Sequence, residues 1–380
     1  MVAWFKVSLG DPVSLKVLYS EQIADNPSKA IRVLEPLRQL ANAGLVNVTA
    51  LESLGDSDRV AGFDAIFLHM VDLNLQTESW LLPLLSTALS EGVALICDTD
   101  DPYFFAADGC AFDDKIAPHL ELMRRLCGSA HLLTVTTAPL KQELSSMARA
   151  VAVIPNMIDL DNAPHRSRGE QRVRIGWCGG PTHADDLAMF LPAVAELQRR
   201  HPVDFVVFGM FDRNFDQTVM RARKVPAAQR ARDPSLAAFG RMADALEGID
   251  FKHFPSVAYP EFPRALAELN FDIGVCPLLD TRFNRCRSAV KFYQYAAAGT
   301  VTVASNVASY QHECSLLADN TRDSWVSVLE PLVMSEQLRG EALATQTAYV
   351  RNHRSWQAGL PLYHQLFTRV CAAVQQGRRT

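Results

Sequence analysis

The chain passes twice through one alternation, and that rhythm restricts its folds more than any other feature. Short β-branched or apolar runs, each followed by a longer helical stretch, fill the first half. After a polar interval at 159–171 the pattern restarts. Parallel strands need a long crossover, usually a helix, so the alternation points to parallel βαβ units. Strands are expected at 16–19, 46–50, 65–68, 94–97, 132–135 and 151–154 in the first half. The second half offers 173–177, 204–208, 250–253, 273–275 and 302–304. Helices fit between them: 80–91 leads into Gly92 and 115–127 ends at Gly128, glycine being a common helix stop. Pro36 suits the first turn of a helix that Gly44 stops, leaving 21–35 as a long loop after the first strand.

At 380 residues the chain exceeds one ordinary domain. The expected division is an N-terminal doubly wound α/β domain at 1–165 and a second at 170–345. Helices at 346–380 complete it, with a frayed basic tail at Arg378 and Arg379. No short period repeats, which argues against a solenoid. Hydrophobic residues at 48% and charged residues at 21% describe a core-forming chain. A net charge of −5 gives no global attraction to nucleic acid. No apolar run is long enough for a membrane span, and the first residues lack a signal-peptide core. The eight cysteines include no Cys-x-x-Cys pair, so neither a zinc site nor a disulfide framework is indicated. Buried thiols in a reducing compartment are expected. The expected location is the cytoplasm, with peripheral attachment to the inner membrane surface as a variant.

Doubly wound sheets bind ligands at the carboxyl ends of their strands, so the residues just after each strand carry the chemistry. Gly176-Trp177-Cys178-Gly179-Gly180-Pro181-Thr182-His183 ends a strand and opens a helix. Its glycines would let backbone N–H groups approach a phosphate, and His183 would add a donor. A plain tight turn, with Asp185 or Asp186 as helix cap, stays equally open. The second stretch is Phe283-Asn284-Arg285-Cys286-Arg287-Ser288-Ala289-Val290-Lys291-Phe292-Tyr293-Gln294, running on to Gly299. With Ser288 as N-cap, a helix over 289–298 would gather Arg285, Arg287 and Lys291 at its N-terminus. The helix dipole favours anions there, so clustered cations imply a bound anion such as a diphosphate. A solvated basic turn is the alternative.

These stretches, with Asp98-Thr99-Asp100-Asp101, Thr134-Val135-Thr136-Thr137 and Ile154-Pro155-Asn156-Met157-Ile158-Asp159, carry a resemblance in their order along the chain. The sequence resembles the large retaining family of GT-B glycosyltransferases that build bacterial polysaccharide and lipopolysaccharide. That resemblance implies two Rossmann-like domains facing a central cleft, with C-terminal helices returning to the N-terminal domain. It implies a nucleoside-diphosphate sugar as co-substrate on the C-terminal domain and an acceptor on the N-terminal domain, a glycan, a lipid-linked glycan or another hydroxyl compound. No separate cofactor is implied. Gly179 and Gly180 would approach the donor phosphates, while Arg287 and Lys291 neutralise them. Ser256 and Val257 would edge the base, and Asn284, Ser288 and Gln294 would complete the donor site. Two family glutamates are replaced, by Gln294 and by Cys286.

Asp98-Thr99-Asp100 also spells a metal-binding Asp-x-Asp, but that motif belongs to a fold with one central sheet. The expected reading is a loop facing the cleft, with Asp100 or Asp101 receiving an acceptor hydroxyl, Lys291 acting on the leaving group, and no metal. A capped turn before Pro102 is the alternative. Arg32 and His69 are candidates for acceptor contact, against readings as surface and structural residues. The stretch 213–241 holds Arg213, Arg221, Arg223, Lys224, Arg230, Arg232 and Arg241. It reads as a solvated helical excursion or as a docking face for an anionic partner or membrane surface. Two other functions stay open: a nucleotide-sugar epimerase or hydrolase on this fold, and a degenerate binding subunit marked by Cys286 and Gln294.

Overall fold

The structure is a computed structural model that describes residues 14–21, 26–54, 60–70, 78–105, 117–161, 172–210, 215–230 and 232–377. Arg213, Arg378, Arg379, Cys110, and positions 22–25 and 162–171 of the expected loop and linker lie outside the described residues.

The N-terminal sheet comprises β1 (Leu15–Tyr19), β2 (Val46–Ala50), β3 (Ala65–His69), β4 (Ala94–Thr99), β5 (Leu132–Val135) and β6 (Val151–Val153). All pairings are parallel, in the order β2-β1-β3-β4-β5-β6. The second sheet comprises β7 (Val173–Gly179), β8 (Val203–Gly209), β9 (Phe251–Phe254), β10 (Ile273–Cys276), β11 (Val301–Ser305) and β12 (Leu317–Ala318). It is also parallel, ordered β12-β11-β10-β7-β8-β9. Strand order therefore reverses between β1 and β3 and between β7 and β10. Those crevices are where a doubly wound sheet takes ligands. The two-residue β12 escapes sequence reading because it is too short to show a pattern.

Both faces of each sheet are covered, which explains why the central strands are apolar throughout rather than alternating. In β3, Ile66 and Leu68 enter one core while Ala65 and Phe67 enter the opposite one. In the second domain Ile273 and Val275 of β10 join one core, and Cys276 the other.

Helical structure starts earlier after β1 than expected. Asn26 caps the turn Pro27–Lys29, its side chain accepting from the Lys29 N–H. A π-wound turn, Ala30–Leu34, then leads into the helix Glu35–Asn42. Pro36 thus lies inside a helical run, not at its start. It lacks the N–H for a bond to the Arg32 carbonyl, and the wider turn sits immediately before it. Asn26 and Pro27 supply the helix start that the sequence reading placed at Pro36.

At the C-terminal end, the helix Glu336–Arg354 stays on the second domain. Gln346 accepts from the Thr302 N–H and donates to the Thr302 carbonyl, both at 2.8 Å, tying that helix to β11. The chain crosses between domains at Ser355, later than the expected 346. There Ile158 N–H donates to the Arg354 carbonyl at 2.7 Å. The last helix, Trp356–Gly377, buries Trp356, Tyr363, Phe367 and Cys371 in the N-terminal core. Phe367 meets Phe67 edge to face with ring centres 5.0 Å apart. The seven cysteines among the described residues are buried, and no disulfide joins any two of them. No helix of the described residues is long and apolar enough to cross a membrane.

Candidate functional site

A cavity of about 240 Å³ opens between the domains, with Asp100, Asp101, Gly179, Arg287, Lys291 and Gln294 on its walls. It lies where the carboxyl ends of β4 and β7 face each other. Val257, Ser288 and Asn156 also line it. The domains are held across it by Thr137, whose hydroxyl donates to the Cys286 carbonyl at 2.7 Å, and by Asn156, which donates to the Ser288 hydroxyl at 2.8 Å. An Arg282–Glu143 ion pair at 2.7 Å closes the rim.

On the second domain, β7 ends at Gly179. A Cβ there would stand 2.7 Å from the Trp177 ring and 3.1 Å from Lys291 Nζ. Only glycine leaves the lane through which Lys291 reaches the cavity. The Lys291 ammonium lies 5.4 Å from the centre of the Trp177 ring, within cation–π range. Burial, aided by the Arg287 charge, lowers the Lys291 pKa below its ordinary value. Gly180 is exposed, and nothing crowds a Cβ at that position.

Lys291 stands in the first turn of the helix Val290–Ala297, whose N-cap residue is Ala289 and makes no side-chain cap. Its N-cap residue thus satisfies none of the first N–H groups, the groups that hold an anion at a helix start. This corrects the expectation that Ser288 caps the helix: its hydroxyl instead receives the Asn156 amide. Arg285 is also displaced from the expected cluster. It is exposed and pairs with Asp280 through two bonds of 2.6 and 2.8 Å. Asn284 points away from the cavity as well, donating to the Leu279 carbonyl at 2.9 Å and toward Asp186 at 3.5 Å. Its position follows from Thr281, which caps the short helix Arg282–Arg285.

His183 lies behind this wall rather than on it. Its Nδ1 is 2.7 Å from Asp186, and its Nε2 faces Arg287 Nη1 at 3.1 Å. Burial, then the charges of Lys291 and Arg287, outweigh Asp186 and lower the imidazole pKa to about 3, so the ring is neutral. The expected direct phosphate contact from His183 is replaced by contact with the arginine.

On the first domain, Arg32 corrects the expectation of an acceptor contact. It is fully buried, with Nε and Nη2 donating to the two oxygens of Asp98 at 2.9 and 2.7 Å. Nη1 donates to the Ile154 carbonyl at 2.7 Å and to Asn156 at 2.9 Å. Arg32 therefore braces β4 against the chain leaving β6. Asp98 also accepts from the Thr134 hydroxyl at 2.5 Å, so its carboxylate is an internal anchor. His69, likewise fully buried, lies 3.4 Å from Asp100 and supports that carboxylate from inside.

The neighbouring carboxyls Asp100 and Asp101 diverge electrostatically. Burial would raise the Asp100 pKa. The hydrogen bond and charge of His69, a hydrogen bond from Ser28 and the Arg32 charge outweigh it and hold Asp100 well below the usual range. Tyr103 also donates to Asp100 at 3.1 Å. Arg287 lies 3.5 Å from Asp101 and would lower its pKa, but burial with the Asp100 charge outweighs it and raises the pKa to about 6. The cleft thus holds one firmly ionised carboxylate beside one that titrates near neutrality.

Ser256 is exposed on the loop after β9, while Val257 reaches the cavity. Gln294 hydrogen-bonds Tyr259, and the two line both this cavity and an adjoining one of about 360 Å³. Sequence reasoning missed Tyr259, Ser28 and Tyr103, which bear no motif signal. Asn156 and Trp177 sat inside quoted motifs without a role. In the basic stretch, Arg230 pairs with Asp244 at 2.8 Å, Arg241 pairs with Asp185 at 2.7 Å, and Arg223 donates to the Ala243 carbonyl. These internal partners leave Arg221, Lys224 and Arg232 as its exposed cations without such a pair among the described residues.

No family model and no curated protein matches the sequence. Solved structures do match in shape. A sucrose-phosphate synthase from Thermosynechococcus elongatus shares 12% identity and a TM-score of 0.63, over 95% of this chain and 100% of that one. HepE from Anabaena, solved with UDP and glucose, shares 12% identity and a TM-score of 0.58, over 94% and 100%. A UDP-forming trehalose-phosphate synthase from Burkholderia xenovorans shares 15% identity and a TM-score of 0.56, over 96% and 100%. The chain has the two-domain α/β GT-B fold.

Proposed function

We propose that the chain is a glycosyltransferase that moves a sugar from a nucleoside-diphosphate sugar to an acceptor hydroxyl, with retention of configuration and without a divalent metal. The observation that carries this reading is the pairing of Lys291 and Arg287 with an uncapped helix N-terminus, facing Asp100 and Asp101 across one cavity. As the bond from sugar to diphosphate breaks, negative charge grows on the leaving oxygen. Two cations and the first N–H groups of the helix, held beforehand in a half-enclosed site, stabilise that charge without reorganisation. Asp100, ionised and braced by His69, Ser28 and Tyr103, is the group suited to accept the hydrogen bond of the acceptor hydroxyl. Gln294 offers a neutral partner to a ribose or sugar hydroxyl. HepE, a neighbour in fold, binds UDP and glucose, in keeping with this reading.

A binding subunit without turnover is the second reading, and Cys286 favours it. Its side chain is 2% exposed and packs into the core of the N-terminal domain, so the carboxylates on the cavity wall come from Asp100 and Asp101. The two readings separate in one assay. A transferase releases nucleoside diphosphate at a rate that depends on acceptor, and the product keeps the donor's anomeric configuration by proton NMR. Stoichiometric donor binding with no release across a panel of glycan and lipid-linked acceptors would leave the binding subunit.

A further inference from the structure

The catalytic reading uses Arg287 but leaves unexplained why a neutral histidine is buried against it. Asp186 receives the Leu279 N–H at 2.7 Å on one oxygen and faces His183 Nδ1 at 2.7 Å with the other. An arginine N–H only donates, so the Nε2 that it meets is bare and Nδ1 carries the ring proton toward Asp186. Nε2 then presents a lone pair, and an arginine N–H is what meets it, at 3.1 Å. The Arg287 guanidinium also lies 5.7 Å from the centre of the Phe283 ring, and its Nε is 3.5 Å from Asp101. A long, flexible side chain is thereby held in one orientation at the cavity wall.

We infer that His183 is a positioning residue: with Asp186 behind it, it fixes the guanidinium of Arg287 so that the remaining N–H groups face the diphosphate of the donor. This rests on the donor reading above and extends it to a residue that does not itself line the cavity. A histidine whose Nε2 carried the proton would present N–H to N–H and turn the arginine away, so the carboxylate at Asp186 determines the arginine's aim.

The test compares His183→Phe, His183→Gln and Arg287→Ala, singly and with His183→Phe combined with Arg287→Ala. Binding of ADP, GDP, UDP and dTDP is measured by calorimetry, and unfolding midpoints are followed in parallel. Phenylalanine keeps the ring against Trp177 but removes the acceptor, and affinity for whichever diphosphate binds should fall about tenfold, the scale of one hydrogen bond to a charged group. Glutamine restores an acceptor and should recover most of that loss. In the Arg287→Ala background the phenylalanine change should have no further effect. Nitrogen-15 NMR should show Nδ1 protonated and Nε2 bare. If Arg287→Ala weakens binding while His183→Phe does not, or if the two losses add fully, positioning by His183 is refuted and the donor site stands. If none of the diphosphates binds the unaltered protein, the donor reading itself falls.

Discussion

Removing the charge of Lys291 should move activity and stability in opposite directions. Lys291→Met retains most of the stem that passes Gly179 and lies over Trp177, and deletes the ammonium. If the donor diphosphate sits at the start of the helix Val290–Ala297, the departing group loses one of its two side-chain cations and keeps Arg287. A charge-assisted contact that strengthens as charge develops is worth about 2–4 kcal/mol, or about a thirty- to thousandfold loss of rate. Most of the loss belongs in turnover, since the leaving oxygen is more negative in the transition state than in the bound donor. Stability should respond the other way. Burial lowers the Lys291 pKa, so the charged form is disfavoured in the folded protein relative to the unfolded chain. A neutral side chain of similar shape removes that penalty, and the unfolding midpoint at neutral pH should rise. The assay pairs acceptor-dependent diphosphate release with thermal unfolding of the same preparation. Near-normal turnover with an intact fold would mean that the diphosphate lies elsewhere, and a lowered midpoint would refute the desolvation argument.

Three further outcomes are expected. Arg32→Met leaves Asp98 buried beside Thr134 and His69 without its guanidinium partner, and should cost about 3–5 kcal/mol in denaturant unfolding; a loss under about 1 kcal/mol would show that water or a shifted side chain replaces the guanidinium. The folded pKa of Asp101 is raised to about 6 from an ordinary value of 3.8, so its proton stabilises the folded state at low pH and that contribution is lost as pH rises toward 6. Asp101→Asn lacks this titration, so its midpoint should gain on the unaltered protein between pH 4 and 7, by about what such a raised carboxyl contributes; a widening deficit over that range would contradict the shift. Turnover should survive chelator, because Arg287, Lys291 and a helix N-terminus supply the positive charge; loss with EDTA and recovery with manganese would restore a metal role to the acidic loop after β4.

The sequence by itself determined the two parallel sheets and nearly every strand in them. Continuous apolar runs such as 65–68 and 94–97 are short-range signals, and a parallel strand buried on both faces writes them into neighbouring positions. It also determined which loops face the cleft, since those follow strands: Gly179, Asp100 and Asp101 were legible on that ground. Tertiary structure alone decided what each polar residue does there. Arg32 and Asp98 are 66 residues apart and Asn156 and Ser288 are 132 apart, so neither pairing leaves a trace in local pattern. Arg285 and Arg287 look equivalent in sequence, yet one pairs with Asp280 at the surface while the other lines the cavity, 3.1 Å from His183. Asp100 and Asp101 are adjacent carboxylates, and only their surroundings push one pKa down and the other up. Charge and protonation depend on distance and burial in three dimensions, which the order of residues along a chain does not encode locally.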